Sequence, residues 1–86
     1  MMGEKMKTRK DLCDWILEAL KDLKGKAMIL KVREHIWEHH QKELIDSGNL
    51  HFTWNEDIYW AATQLRAKGL IKNAKATSKN VWELTK

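Results

Sequence analysis

The sequence predicts a mainly α (α+β) domain, three helices closed by a C-terminal β-hairpin. Three observations predict it. Apolar residues recur at helical spacing over three separate stretches. Gly25, Ser47-Gly48 and Gly69 punctuate those stretches, and the chain contains no proline. Beyond Gly69 the pattern changes to two short apolar runs separated by a polar, lysine-rich turn.

The elements follow in order. Residues 1–7 read as a flexible N-terminal tail and residues 8–86 as the folded domain. Thr8 followed by Asp11 has the form of a capping box and starts the first helix. Leu12, Ile16, Ala19, Leu20 and Leu23 then make one apolar stripe, and Gly25 ends it. Ala27, Met28 and Ile29 read as a minimal strand. A second helix should run to about Leu44 with Val32, Ile36, Trp37, His40 and Leu44 inward. Ser47, Gly48 and Asn49 are turn residues. Leu50, Phe52 and Trp54 alternate with polar residues, which reads as an extended approach. Thr53 with Glu56 is a second possible capping box, with Asn55 an alternative cap, for a third helix at about 54–68. Its buried stripe is Ile58, Ala61, Ala62 and Leu65. Leu70 and Ile71 begin a strand, 73–80 turns, and Val81 to Thr85 returns with Trp82 and Leu84 on one face. That order is the winged helix-turn-helix arrangement, in which the third helix can enter a DNA groove.

Composition limits the function classes. At 86 residues the chain is one small domain with room for a single core. The five tryptophans can anchor that core, since each buries a large apolar area. Cys13 is the lone cysteine, so no internal disulfide is possible, and a reducing, cytoplasmic setting is expected. No apolar run approaches the ~20 residues of a membrane span, and the basic start lacks the apolar stretch of a signal peptide. The net charge of +4 is unevenly distributed. Residues 44–63 hold three acids and no Lys or Arg, whereas residues 64–86 hold six basic residues and one acid. A positive C-terminal end is the footprint a phosphate-binding surface would leave.

The segment Trp60-Ala61-Ala62-Thr63-Gln64-Leu65-Arg66-Ala67-Lys68-Gly69-Leu70-Ile71, followed by Val81-Trp82-Glu83-Leu84-Thr85, resembles the N-terminal winged-helix domain of Mrr-type restriction endonucleases. That family's third helix carries a similar Trp-Ala pair. It passes through Leu into a basic residue, Gly and two aliphatics, and its hairpin closes on aromatic-x-aliphatic-Thr. Ser47-Gly48 and Phe52 sit in the corresponding upstream loop. The resemblance implies a DNA-recognition module without cleavage, because cutting in that family belongs to a separate nuclease domain. The hairpin departs from the family pattern at Lys79-Asn80-Val81, where a Gly often precedes the aromatic.

On the third helix, Asn55, Glu56, Tyr59, Thr63 and Arg66 face outward. Arg can bond guanine in bidentate fashion and Asn can do so with adenine, while Thr and Tyr reach bases or phosphates. Glu56 and Asp57, placed at the helix start, would repel phosphate. Lys72, Lys75 and Lys79 on the hairpin, with Lys68 nearby, suit phosphate contact. The expected nucleic-acid-binding set is Asn55, Tyr59, Thr63, Arg66, Lys68, Lys72, Lys75 and Lys79, and the expected partner is double-stranded DNA. The alternative is a winged helix that binds a protein partner or a second copy of itself, favoured by the acidic start of the third helix and more so if Trp60 points outward.

No enzyme is expected. His35-Ile36-Trp37-Glu38-His39 matches the H-x-x-E-H pattern of one class of zinc peptidases, and the two histidines share a helix face. A catalytic zinc needs a third protein ligand, and the sequence shows none nearby. The expectation is therefore two solvent-facing histidines, no metal and no cofactor, with His40 a partly buried, satisfied histidine. No Gly-rich phosphate loop and no nucleophile–base set appears.

Overall fold

The computed structural model describes residues 8–73 and 80–85. The expected tail at 1–7 lies outside them, as do Lys75 and Lys79. Among the described residues the fold is mainly helical, with a small antiparallel sheet.

Helix α1 (Arg9–Asp22) begins at the expected cap. The Thr8 hydroxyl accepts from the Lys10 amide, and the Asp11 carboxylate accepts from the Thr8 amide at 2.8 Å. Two of the amides left over at the helix start are thereby satisfied. The helix ends in paired reverse bonds: Gly25 N–H donates to Leu20 O and Lys24 N–H to Lys21 O. That geometry needs a left-handed residue after the cap, and it is Lys24, at φ 71°, that supplies it.

Strand β1 (Lys26–Met28) leads directly into helix α2 (Ile29–Ile45). Val32, Ile36 and Leu44 of α2 are buried, and Trp37 packs half-buried against the core. His40 leaves helical geometry, at φ −129° and ψ 20°. Its ring stacks on Trp15 at 4.1 Å and its two nitrogens meet Glu43 and Glu18, so the kink is filled and its polar atoms are satisfied. His35 is not the solvent-facing residue expected of it. Its side chain is only 10% exposed, because it lies against the end of α1.

Helix α3 (Asn49–Ala67) starts earlier than the alternation at Leu50, Phe52 and Trp54 suggests. Gly48 at φ 59° turns the chain, and Asn49 is already helical. Leu50 and Trp54, one turn apart, are buried, while Phe52 between them is 80% exposed. A strand would have put all three on one side. The Thr53–Glu56 cap therefore does not form, and Asn55 is no cap either. Thr53 instead donates its hydroxyl to Asp57, one turn on. At its far end α3 repeats the reverse bonds of α1, with Gly69 at φ 75° in the left-handed position.

Strand β2 (Val81–Glu83) pairs antiparallel with β1, Ala27 opposite Trp82. On its other side Leu84 bridges Ile71, and the Lys72 amide donates to Glu83 O. The expected strand at Leu70-Ile71 is thus reduced to a single bridge. Asn80, at φ 66°, enters β2 through a conformation that usually calls for glycine. One core unites all of this: Leu12, Ile16 and Leu20 of α1, Ile36 of α2, Ile58 and Leu65 of α3, and Ile71 and Trp82 from the C-terminal segment.

Candidate nucleic-acid interface

The outer side of α3 follows from its inner one. At 100° per residue, Leu50, Trp54, Ile58, Ala61 and Leu65 fall on one side, and Phe52, Glu56, Tyr59 and Thr63 on the opposite side. The first group is buried and the second exposed. The first turn of α3 holds no acid, because the early start moves Glu56 and Asp57 into the second and third turns. The repulsion expected at the helix tip is thereby displaced along the face.

The expected site residues separate into three groups. Asn55, Tyr59 and Thr63 lie together on the exposed side of α3. The Asn55 side-chain oxygen accepts from the Arg33 guanidinium of α2 at 3.0 Å. Tyr59 sets its ring against the edge of Trp82 at 6.0 Å and keeps 48% of its surface exposed. The exposed Thr63 donates its hydroxyl back to Tyr59 O, one turn earlier. Arg66 flanks this strip, half-buried, and its Nε is a buried donor with no partner among the described residues.

Lys68 and Lys72 do not join that strip. Lys68 is the exposed C-cap of α3, away from that strip, and its charge acts on Cys13 of α1. Lys72 pairs with Glu83 at 3.1 Å across the terminal ladder, so its charge is compensated within the protein. Lys75 and Lys79 lie outside the described residues. Trp60 is half-buried against the core and carries the Arg9 guanidinium 4.1 Å above its ring, so it is neither fully core nor an open platform.

Two contributors were not visible to sequence reasoning. Phe52 sits in a segment whose alternation reads as extended, and its place opposite the Leu50–Trp54 pair is the signal that marks it. Arg33 had none, since its link to Asn55 depends on how α2 crosses α3. A separate cluster lies on the other side of α2, where the Asp22 carboxylate, His35 and His39 come together.

Burial pushes the Cys13 thiol above its ordinary value, against the opposing charge of Lys68. Its sulfur sits 3.8 Å from Ala61 O on α3, the place of a packed side chain rather than of a nucleophile. Among the described residues no helix is long and apolar enough to cross a membrane. No family model, curated protein or solved structure matches the chain.

Proposed function

We propose that this chain is a winged-helix DNA-binding module that performs no chemistry. The carrying observation is the connectivity of its sheet. The order α1, β1, α2, α3 is followed by a return segment in which β2 lies between β1 and Ile71. In a winged helix of this order the third helix is the recognition helix, a part α3 would take here. The exposed, acid-free first turn of α3 supports the reading, because recognition helices meet base edges through their N-terminal residues. Asn49 and Phe52 stand there, followed by Asn55 and Tyr59. Asn suits adenine, and an exposed Phe suits the thymine methyl group. Arg33 and Arg66, together with the sequence-expected Lys75 and Lys79, supply the phosphate contacts in this reading.

Fluorescence anisotropy with a labelled random duplex tests the proposal. Those four phosphate contacts predict a slope of about −3.6 in log K against log salt, a loss of roughly 150-fold between ~50 and ~200 mM. Absence of binding at low salt sinks it.

One observation favours a second reading. Phe52 and Tyr59 make an aromatic strip beside Glu56, a surface that also suits a protein partner or a second copy of the chain. Sedimentation of the chain alone, and amide shifts during a DNA titration, separate the two. Self-association through Phe52, with no shifts from DNA, supports the second.

A further inference from the structure

We propose that Asp22, His35 and His39 form a divalent metal site, with zinc the expected cation, that joins the end of α1 to the middle of α2. The proposal rests on these two helices alone and is independent of any DNA binding. Asp22 is the last residue of α1, while His35 and His39 stand one turn apart on α2. His35 Nε2 lies 2.9 Å from Asp22 Oδ2. The two imidazoles stack at 4.0 Å between centroids and 12° between planes. One ligand atom from each of the three side chains falls within 4.8 Å of the others.

Ligands bonded to zinc at about 2.0–2.2 Å in tetrahedral geometry lie roughly 3.3–3.5 Å apart. The His35–Asp22 pair has to open by a few tenths of an ångström and the others to close by about 1.5 Å at most, within reach of small side-chain rotations. The orientation of His39 also suits a cation. His39 Nδ1 lies 2.9 Å from His35 O, and a carbonyl only accepts, so Nδ1 carries the hydrogen. Its Nε2 therefore presents a lone pair, the arrangement that backbone-oriented histidine ligands use. His35 Nε2 donates its hydrogen to Asp22, and a cation binding between the two replaces that hydrogen, the proton passing to Nδ1 or to solvent. Asp22 remains 57% exposed on its side chain, which leaves the cation a route in from solvent.

Two imidazoles and one carboxylate select late first-row divalent ions over magnesium or calcium. Three protein ligands leave at least one position for water, so the site is open rather than a closed structural cage. Holding α1 to α2 only in the folded state, it couples metal binding to stability.

The test is calorimetric titration of the untagged full chain with zinc chloride, paired with thermal melts. The expected result is one equivalent bound with Kd of about 10 µM or tighter, and a Tm raised by about 5 °C or more at ~100 µM zinc and restored by EDTA. His39→Ala removes an exposed side chain and leaves the core intact, so circular dichroism should match the parent. It should bind at least about tenfold more weakly and lose the Tm shift, and Asp22→Asn should do the same. No zinc-dependent shift in the parent, or full affinity retained by either variant, overturns the site.

Discussion

The Arg33 guanidinium of α2 donates to the Asn55 side chain of α3 across 3.0 Å, tying together the two helices of the proposed reading head. Arg33→Ala should cost less than about 1 kcal/mol, since the bond is exposed to water. Duplex affinity should fall much further if Arg33 both orients Asn55 and meets a phosphate. Chemical denaturation and anisotropy on the same variant check the two halves. Equal small losses in both would reduce the pair to a structural link.

The start of α3 can be tested by two alanines. Leu50 is 5% exposed and Phe52 is 80% exposed. Leu50→Ala should cost about 2–4 kcal/mol, and Phe52→Ala should fall within about 0.5 kcal/mol. Comparable losses at both positions would mean that the segment is extended and that both rest on the core. Phe52→Ala should nonetheless weaken DNA binding, most at sites rich in A·T.

Lys72 is a compensated cation that can be released. Glu83→Gln removes the partner of Lys72 while keeping its shape. The freed ammonium should tighten DNA binding and steepen the salt slope by about 1. An unchanged slope would show that Lys72 does not reach the phosphates.

Lys24 holds a left-handed backbone at φ 71° without glycine's freedom. Lys24→Gly should stabilise the domain by up to about 1 kcal/mol, relief of the left-handed conformation outweighing the added entropy of the unfolded chain. For a domain of this size that raises Tm by about 4–8 °C. A lowered Tm in a thermal melt would show that Lys24 makes a contact worth more than the relief.

Cys13 should alkylate slowly. Burial raises its thiol above the ordinary value, so at neutral pH a smaller fraction is thiolate than in an unfolded chain. The sign follows directly: the folded state holds this proton more tightly. Its contribution to stability is therefore present below the ordinary thiol value and is lost as pH rises through the raised one. Iodoacetamide labelling with and without denaturant, followed across alkaline pH, should show a native rate well below the unfolded one until the pH passes the raised value.

Much of the architecture was legible in the sequence. The Thr8–Asp11 cap, the α1 stripe, the Gly69 stop and the inward Trp82 all rest on local rules. The start of α3 was not, because Leu50-x-Phe52-x-Trp54 satisfies both a strand's period of two and a helix's spacing of four. Only burial of Leu50 and Trp54 against the other helices decides between them. The fate of Lys72 depended on which residue stands across the hairpin. Lys68 depended on where the last turn of α3 points. Asp22 lies 13 residues from His35 and meets it only through the crossing of α1 and α2, so sequence spacing gave no sign of a third ligand.

The pairing of Ala27 with Trp82 has a consequence for how the molecule assembles. The three helices can draw on neighbours close in the chain, but this ladder joins partners separated by most of the domain. Its loop-closure cost is met only once the helices have brought both ends near. The sheet is therefore the latch that shuts last and opens first. Amides at Lys26–Met28 and Val81–Glu83 should exchange with solvent before those at the centre of α1 do.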